Sequence, residues 1–338
     1  MLTTGPSPTV GSTSPGVPPA EERVLLLERA DRLADGVLGF IFRAVDGSAL
    51  PPWGPGAHVD LVLDQGQDQP ELVRSYSLCG DPADRTRWQI GVLREPASRG
   101  GSAYLHERLT PGDRIRVRGP RNHFALVESP RYLFIAGGIG ITPLLPMIAA
   151  AEAAGAEWKL LYGGRRRDSM AYLGELARYG AKVEICPEDE RGLLDLGAAL
   201  LPPRPGTAVY SCGPEPLLAA VEARCASWPK GSLHIERFRA AAPDPAAPPA
   251  GEFEVELRRT GLTLTVGADR SILEALEKAG IYGASSCREG TCGSCETGVL
   301  AGRPDHRDSL LSDEERAAND TMMICVSRSA TPSLVLDL

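Results

Sequence analysis

The sequence has few histidines, and the five that it contains stand singly along the chain. A Rieske centre needs paired histidine ligands, and a mononuclear iron site needs two histidines beside a carboxylate, so the sequence predicts neither. No apolar run approaches the roughly 18 residues that a membrane-spanning helix requires. The N-terminus has neither the basic start nor the apolar core of a signal peptide. These absences favour a protein that stays out of membranes and holds neither kind of iron site.

The composition is that of an ordinary globular protein, with 338 residues of which 43% are hydrophobic and 24% charged. That length allows two or three domains. Eight cysteines, three of them in one loop, suit a reducing compartment better than a disulfide framework, which predicts a cytoplasmic location. A net charge of −8 argues against binding to nucleic acid.

The acidic charge is concentrated at the end of the chain. From Glu252 onward the sequence contains nine basic and fifteen acidic residues. This imbalance predicts a docking partner with a basic patch. A surface that merely faces water would carry the same charges, and composition alone leaves that alternative open.

The most informative motif is Cys287-Arg-Glu-Gly-Thr-Cys292-Gly-Ser-Cys295, which a single Cys325 follows further along the chain. The C-x4-C-x2-C spacing with a distant fourth cysteine is that of a plant-type [2Fe–2S] cluster. The two glycines of the loop permit tight turns that point backbone N–H groups at the cluster sulfurs. A structural zinc site is the alternative, but zinc sites favour two short C-x2-C pairs. We therefore predict that these four cysteines hold a cluster that transfers single electrons.

The rest of the sequence divides into segments of different pattern. Residues 1–21 are rich in Pro, Ser, Gly and Thr, which predicts a disordered tail. Residues 22–129 contain short strands separated by turn residues, as in an antiparallel β-barrel. Strands and helices alternate over residues 130–239, which predicts a doubly wound α/β domain. Residues 240–251, mostly Ala and Pro, predict a semi-rigid linker, and residues 252–338 form the segment that carries the cysteines.

Some local features can be predicted from single residues. Ser271 and Ser312 each begin a capping box that opens a helix. Ser102 is expected to cap a helix that runs to Leu109. The apolar run from Met322 to Val326 predicts a strand that carries Cys325.

Two stretches in the first segment are candidates for binding a phosphate. Arg74-Ser-Tyr76-Ser77-Leu78 ends a predicted strand, and such an arginine can hold a phosphate while a tyrosine packs on a flat ring. Arg99-Gly-Gly101-Ser102 follows at a predicted helix start, where free N–H groups favour anions. Together they suggest a flavin phosphate pocket, although an exposed arginine beside serine is common.

Two further stretches lie at strand ends of the predicted α/β domain. Gly138-Ile-Gly140-Ile-Thr-Pro143 follows an apolar strand, where glycines let a pyrophosphate approach a helix N-terminus. A tight turn without a ligand is the alternative. Cys212-Gly-Pro214 lies on the same rim of the sheet, where ligands of α/β proteins bind. Cys212 is equally compatible with a buried, small apolar residue.

Taken in order, these motifs resemble the phthalate dioxygenase reductase family, and they are similar to vanillate demethylase reductases and P450-fused reductase domains. The resemblance extends from Glu22 to Leu338. It implies a multidomain α+β protein with an antiparallel β-barrel flavin domain, a doubly wound α/β nucleotide domain and a C-terminal β-grasp ferredoxin domain of plant type. The domain order, with ferredoxin last, implies FMN as the flavin.

The resemblance also implies roles for individual residues. The residues implied to bind FMN or its phosphate are Arg74, Tyr76, Ser77, Val92, Gly101, Ser102 and Phe238. Those implied to face the nicotinamide nucleotide are Gly138, Gly140, Thr142 and Cys212. Ser77, near the flavin N5, and Cys212, beside the nicotinamide ring, are implied as the catalytic residues.

The choice between NADH and NADPH stays open at this point. The family resemblance favours NADH, whereas Arg165-Arg166-Arg167 after a predicted strand places cations where a 2′-phosphate would lie. Arg166 is therefore included among the candidate cofactor-binding residues.

The resemblance implies a monomeric oxidoreductase that passes electrons from NAD(P)H through FMN to the cluster. The acceptor would be a separate terminal oxygenase, either a Rieske non-haem iron oxygenase or a cytochrome P450. The alternatives are an electron-transfer or redox-sensing subunit without NAD(P)H turnover, and a zinc-bearing structural protein. Retention of both Gly140 and Cys212 favours the reductase.

Overall fold

The computed structural model describes residues 22–64, 66, 71–96, 98–239 and 251–338. The predicted tail and nearly all of the predicted linker lie outside these residues, so neither prediction is tested. Within the described part, the chain forms an antiparallel, a parallel and a mixed sheet in sequence order, together with one separate strand pair. The mixture of α and β structure predicted from the sequence is confirmed at this level.

The first sheet is antiparallel and has the strand order β4-β3-β6-β1-β2-β5. Its strands are β1 (Glu22–Ala34), β2 (Val37–Ala44), β3 (His58–Leu63), β4 (Leu72–Ser77), β5 (Trp88–Leu93) and β6 (Arg114–Arg121). An isolated bridge from Leu78, just after β4, to Ile90 of β5 joins the two edges of the sheet. Alternate apolar side chains such as Phe40 and Phe42 are buried inside. The sheet therefore encloses a single apolar core.

The helix predicted to start at Ser102 begins one residue earlier, as α1 (Gly101–Glu107). The prediction that Ser102 caps it is wrong. Gly100 is the N-cap residue, and its φ of 92° makes the turn at a backbone conformation that favours glycine. Ser102 therefore falls inside the first turn, and the Ser98 hydroxyl accepts the N–H of Ala103 at 3.3 Å instead.

The second sheet is parallel and has the strand order β11-β10-β7-β8-β9. Its strands are β7 (Arg131–Gly137), β8 (Glu157–Gly164), β9 (Val183–Pro187), β10 (Thr207–Cys212) and β11 (Leu233–Glu236). The helices are α2 (Leu144–Ala153), α3 (Leu173–Leu176), α4 (Glu188–Arg191), α5 (Leu196–Leu200) and α6 (Glu215–Cys225). Three 3₁₀ turns lie at Gly138–Ile141, Arg167–Ser169 and Ala177–Lys182.

Apolar clusters cover both faces of the parallel sheet. Phe134 of β7 belongs to a cluster that includes Met147 of α2. Its neighbour Ile135 belongs to another cluster, which includes Val221 of α6. A strand buried on both faces needs apolar residues at every position, and this explains the continuous apolar run of β7 in the sequence.

The first sheet and the parallel sheet share part of one core. Val37 and Cys79 of the first segment lie in the same buried cluster as Phe134 and Tyr210 of the parallel sheet. Leu93 at the end of β5 packs against that cluster. Because separating the two sheets would expose this apolar surface to water, the hydrophobic effect fixes them against each other.

The third sheet is mixed and has the strand order β13-β12-β18-β14-β16. The strands of this segment are β12 (Phe253–Leu257), β13 (Leu262–Val266), β14 (Glu296–Ala301), β15 (Pro304–Asp305), β16 (Thr321–Met323), β17 (Arg328–Ser329) and β18 (Ser333–Leu336), and β15 pairs with β17 alone. Its helices are α7 (Ile272–Lys278) and α8 (Asp313–Ala318). Both predicted capping boxes, at Ser271 and Ser312, are confirmed by reciprocal side-chain hydrogen bonds.

The predicted strand from Met322 to Val326 is wrong in its second half. Strand β16 ends at Met323, and Cys325 lies in the turn that follows. The N–H groups of Val326 and Ser327 both donate to the carbonyl of Met323, at 3.2 and 3.0 Å. This turn brings the thiol of Cys325 to the other cysteines, which a straight strand would not do.

None of the helices in the described residues is long and apolar enough to cross a membrane.

Candidate redox site

The cysteine loop, residues 287–295, directs backbone N–H groups at sulfur atoms. The N–H groups of Glu289 and Thr291 donate to Cys287 Sγ at 3.3 and 3.4 Å, and the N–H of Cys287 donates to Cys292 Sγ at 3.5 Å. Such bonds stabilise negative charge on the sulfurs and are the contacts that a cluster-binding loop must provide. Gly290 has a φ of 69°, and a Cβ there would lie 2.9 Å from the Cα of Asp308.

The structure brings all four predicted ligands together. Cys287 contacts both Cys292 and Cys325 through its side chain, and Cys295 contacts Cys325. Cys292, Cys295 and Cys325 are buried. No three His, Cys, Asp or Glu side chains of the described residues are placed to hold a single metal ion. A two-iron cluster makes a different demand, because its four thiolates are shared between two metal atoms. The donor set therefore fits a [2Fe–2S] cluster.

The cysteine loop packs against the first sheet. His58, the first residue of β3, is buried and forms a hydrogen bond with the backbone of Cys292. The His123 ring lies over Gly293, so closely that a Cβ there would overlap the ring. The two imidazole rings are neighbours, with centroids 6.0 Å apart. The loop that carries three of the four cysteines thus contacts the sheet through two histidines.

Ser77, Cys212 and Glu236 meet at the ends of three strands. Ser77 ends β4, Cys212 ends β10 and Glu236 ends β11. The Ser77 hydroxyl donates to Glu236 Oε2 at 3.3 Å, and Cys212 Sγ lies 4.0 Å from the same oxygen. The two predicted catalytic residues are therefore brought together from different sheets, with a carboxyl group between them.

The surroundings of Glu236 keep its carboxyl group protonated. The residue is partly exposed, but the carboxyl end is desolvated, and this burial raises its pKa from 4.5 to about 8 against the opposing effect of the Ser77 hydrogen bond. Burial also raises the pKa of the Cys212 thiol well above its ordinary value, with Glu236 adding to the effect. At neutral pH the carboxyl group of Glu236 therefore holds a proton within reach of Ser77 Oγ.

A single strand pairing connects Ser77, Cys212 and Glu236 to the cysteine loop. His58 of β3 and Ser77 of β4 are direct partners in the antiparallel register. Such partners have Cα atoms only about 4.5–5.5 Å apart. A narrow cavity at the same place is lined by all three segments, including His58, His123, Glu236, Thr291 and Ser309. The buried Nε2 of His58 has no hydrogen-bond partner within the described part of the chain.

The predicted phosphate-binding residues also lie together. Arg74 crosses the start of α1, and a Cβ at Gly101 would lie 2.5 Å from its Cγ. Its guanidinium donates to the carbonyls of Val73 and Arg99, at 2.8 and 2.7 Å. Burial and the neighbouring Arg99 lower the pKa of Arg74. Arg74, which is partly buried, and Arg99, which is exposed and ion-paired with Glu289, lie beside a glycine turn, and this arrangement fits an anion such as a phosphate.

Other residues implied to contact FMN are placed differently. Val92 is fully buried in the core of the first sheet, and Phe238 is 40% exposed beyond the end of β11. Burial raises the pKa of Tyr76 above its ordinary range. Ser102 uses its hydroxyl on Ser98 Oγ, at 3.0 Å. Tyr76 lies between Arg74 and Ser77 in β4. Packing explains the placement of Val92, and local hydrogen bonds explain that of Ser102.

The glycines of the 138–143 loop differ in their surroundings. Gly138 has a φ of 54°, and a Cβ there would meet nothing within 4 Å. A Cβ at Gly140 would overlap the backbone of Cys212, so this glycine is needed for close packing against β10. Thr142 is buried and donates its hydroxyl to the carbonyl of Ile139 at 2.9 Å. Gly138 is thus the position at which the backbone is open to a nucleotide.

Two of the three consecutive arginines are engaged in ion pairs. Arg166 pairs with Asp35 at 2.9 Å and with Asp168 at 3.2 Å. Arg167 donates two hydrogen bonds to the carboxylate of Glu190, at 3.0 and 2.7 Å. Arg165 follows β8 and takes part in none of the ion pairs of the described residues. The guanidinium predicted at Arg166 for a 2′-phosphate is therefore already bound by two carboxylates.

Sequence analysis missed three residues of this site. None of Glu236, His58 and His123 belongs to a motif of the sequence analysis. Nothing local marks them, because their importance comes from the strand register and from packing between distant segments. The one available indication is that β3, an otherwise apolar strand, carries two polar residues, His58 and Asp60.

Comparisons with known proteins agree with this geometry. Residues 255–330 match the family model for a 2Fe-2S iron-sulfur cluster binding domain. The phenoxybenzoate dioxygenase subunit beta of Ectopseudomonas oleovorans is 50% identical over 90% of this chain and 94% of that protein. The solved structure of phthalate dioxygenase reductase is 34% identical, covers 94% of this chain and 98% of that one, and has a TM-score of 0.67. The chain belongs to the phthalate dioxygenase reductase family.

Two more relatives extend the comparison. The vanillate O-demethylase oxidoreductase of Pseudomonas putida is 41% identical over 93% of this chain and 99% of that protein. A type IV self-sufficient cytochrome P450 monooxygenase matches with 44% identity and a TM-score of 0.88, but the match covers only 41% of that longer chain.

Membership of the phthalate dioxygenase reductase family confirms several predictions. The family, the oxidoreductase class and the presence of a [2Fe–2S] domain are as the cysteine spacing and the motif order indicated. FMN and NAD(P)H are the further cofactors that go with this family. The zinc alternative loses its support, since the matched domain is one that binds a 2Fe-2S cluster. The roles of individual residues stay predictions.

The raised pKa of Glu236 predicts how stability depends on pH. Between about pH 4.5 and 8 the folded chain keeps the Glu236 proton whereas the unfolded chain has released it, so raising the pH lowers the free energy of unfolding. Glu236→Gln removes this titration. Urea unfolding of both proteins across that range should show the wild type losing stability relative to the variant, with no further relative loss above pH 8. Parallel pH profiles would show that the group titrates normally.

Proposed function

We propose that this chain takes electrons from NAD(P)H and passes them through FMN and a [2Fe–2S] cluster to a separate terminal oxygenase. The pairing of His58 with Ser77 is the observation that carries the proposal. Ser77 faces Cys212 and Glu236, whereas His58 contacts the cysteine loop. One strand spacing thus separates the proposed hydride-transfer site from the proposed cluster site.

We assign the three segments to three domains on this basis. Residues 22–129 form the FMN-binding β-barrel, supported by the enclosed antiparallel sheet with Arg74 and Gly101 at one end. Residues 130–239 form the doubly wound nucleotide domain, supported by the parallel sheet covered on both faces. Residues 252–338 form the β-grasp ferredoxin domain, and residues 240–251 link it to the rest.

Each cofactor has a stated set of residues in this proposal. FMN, when bound, supplies the chemistry that converts a two-electron hydride donor into a source of single electrons for the cluster. Arg74 would bind its phosphate, Tyr76 would pack on its ring, and Ser77 would lie beside the reacting nitrogen. Glu236 holds a proton that the Ser77 hydroxyl can exchange. Cys212, at the rim of the parallel sheet, would bound the nicotinamide site.

The nature of the acceptor rests on the relatives. The phenoxybenzoate dioxygenase and vanillate O-demethylase proteins have nearly the same length as this chain, and their names assign them to dioxygenase and demethylase systems. We therefore propose a separate oxygenase as the acceptor, either a Rieske enzyme or a P450. The acidic excess after Glu252 would complement a basic docking surface on it. We further propose a cytoplasmic monomer, and the absence of a disulfide among the eight cysteines is in keeping with a reducing compartment.

The first prediction from this proposal separates the cluster from the flavin site. Cys287→Ser, Cys292→Ser, Cys295→Ser and Cys325→Ser should each lose the cluster or make it labile, because each removes one thiolate ligand. Flavin reduction by NAD(P)H should survive, since Ser77, Cys212 and Glu236 are untouched. Iron and sulfide analysis with visible spectra measures the first effect, and anaerobic bleaching of the flavin measures the second.

Cys225→Ser is the matched control, because Cys225 is buried but lies in the core between α6 and the parallel sheet. It should keep wild-type iron and sulfide. Wild-type cluster content in all four ligand variants would refute the ligand assignment.

The second prediction concerns flavin affinity. Arg74→Ala removes a charge-assisted phosphate contact worth about 1.5–3 kcal/mol, which corresponds to roughly one to two decades in Kd. The purified variant should contain less FMN and regain activity when FMN is added. Arg74→Lys keeps the charge but lacks the planar guanidinium group. Its FMN affinity should therefore lie between those of the wild type and Arg74→Ala. Full flavin occupancy after dilution of Arg74→Ala, or recovery with FAD and not FMN, would count against this site.

The third prediction concerns nucleotide choice. Since Arg166 and Arg167 are engaged by carboxylates, Arg166→Ala plus Arg167→Ala should leave the NADH-to-NADPH ratio of kcat/KM nearly unchanged, with NADH ahead. Arg165→Ala tests the one arginine of the three without an ion pair, and any NADPH activity should fall in that variant. A wild-type preference of about tenfold or more for NADPH that collapses in the double variant would overturn this expectation.

A further inference from the structure

Tyr172 has a backbone conformation that bulky residues rarely adopt. Its φ is 65° and its ψ is 15°, in the left-handed region, and it directly precedes α3. Its side chain is buried. A large residue persists in this region only where its surroundings hold it, and such residues cluster at functional sites. The contacts of the Tyr172 side chain should therefore explain this conformation.

The side chain of Tyr172 extends from the turn before α3 to the first sheet. Its hydroxyl lies 3.2 Å from Cys79 Sγ and also forms a hydrogen bond with the side chain of Gln89. Gly91 of β5 makes room for it, since a Cβ there would lie 2.7 Å from that hydroxyl and 2.9 Å from Thr142 Cγ2. The contact therefore joins the two sheets inside their shared apolar core.

The residues around this contact come from both halves of the proposed hydride-transfer site. Cys79 is two positions beyond Ser77 in the chain. The segment that precedes Tyr172 is held to the first sheet as well, because the N–H of Asp35 donates to the carbonyl of Asp168 at 2.8 Å and Arg166 pairs with Asp35. The segment that follows β8 is thus held to the first sheet at two places, the turn between β1 and β2 and the residues around Cys79.

We propose that Tyr172 is a positioning residue for hydride transfer, which through Cys79, Gln89 and Gly91 fixes the nucleotide-binding edge of the parallel sheet relative to Ser77. The inference rests on the proposed function, because it assigns Tyr172 to the geometry of that reaction. Tyr172 touches neither Ser77 nor Cys212 in the contacts of the described residues. It acts on the approach of the nicotinamide to the flavin, where small misplacements change rates strongly.

The test compares Tyr172→Phe and Tyr172→Ala with the wild-type holoenzyme in anaerobic stopped-flow experiments. Tyr172→Phe removes the hydroxyl and keeps the ring, and Tyr172→Ala removes both. The rate of flavin bleaching by NADH should fall about tenfold or more in Tyr172→Ala and less in Tyr172→Phe. The primary isotope effect with NADH deuterated at the transferred position should rise, and kcat and kcat/KM should fall together.

Two comparisons separate positioning from a general loss of structure. Electron flow from the dithionite-reduced cluster to ferricyanide should stay within about twofold of the wild type in both variants, since that reaction needs no hydride transfer. Tyr132→Phe removes another buried tyrosine hydroxyl of the parallel sheet, one that donates to the carbonyl of Val127 at 2.9 Å near the start of β7. It should leave the bleaching rate unchanged.

Each other outcome overturns the inference in an identifiable way. Wild-type bleaching rates in both Tyr172 variants, at equal flavin content, would show that the contact does not set the geometry. An equal loss in the ferricyanide reaction would assign Tyr172 to stability alone. If NADH bleached no flavin in the wild type itself, the proposed function would fail, and the positioning role with it.

Discussion

The antiparallel pairing of β3 with β4 is the interaction on which the rest of the site depends. It sets His58 beside Ser77, and so places the cysteine loop one strand away from the residues at the rim of the parallel sheet. A slip of this register by one residue would turn every side chain of a strand to the opposite face. Val59, Leu61 and Leu63 of β3 lie in the core of the first sheet, and such a slip would put His58, Asp60 and Val62 in their places. Packing in the first sheet thus fixes the spacing between His58 and Ser77.

Burial has a second consequence at the junction of the sheets. The desolvated surroundings of Glu236 and Cys212 keep both groups neutral at ordinary pH, as their raised pKa values show. A neutral carboxyl group can donate or hold a proton where an ionised one would repel the electrons arriving nearby. Burial at the junction of the first and second sheets therefore also sets the charge of these two groups. Tyr172 belongs to the buried cluster that the first and second sheets share.

The features that could be predicted from the sequence are those that depend on a fixed spacing or on contacts between near neighbours. That the four cysteines lie together was predictable because a cluster dictates their spacing, and the helix starts at Ser271 and Ser312 were predictable because a capping box is a contact between near neighbours. The prediction that Ser102 caps a helix is wrong because the φ of Gly100 moves the helix start. The prediction of a strand at Cys325 is wrong because periodicity does not show where a chain must turn. Glu236, His58 and Tyr172 were missed because their contacts join residues far apart in sequence. The separate roles of Gly138 and Gly140 likewise depend on which backbone lies opposite.

The most direct test of the central claim is anaerobic addition of NADH to the isolated wild-type chain, with absorbance and electron paramagnetic resonance recorded together. The account predicts that the flavin band bleaches and that the cluster then becomes reduced without any partner protein, because both sites share the β3–β4 pairing. A chain in which the flavin is reduced while the cluster stays oxidised would contradict it. So would a chain in which both stay oxidised with FMN and cluster fully bound.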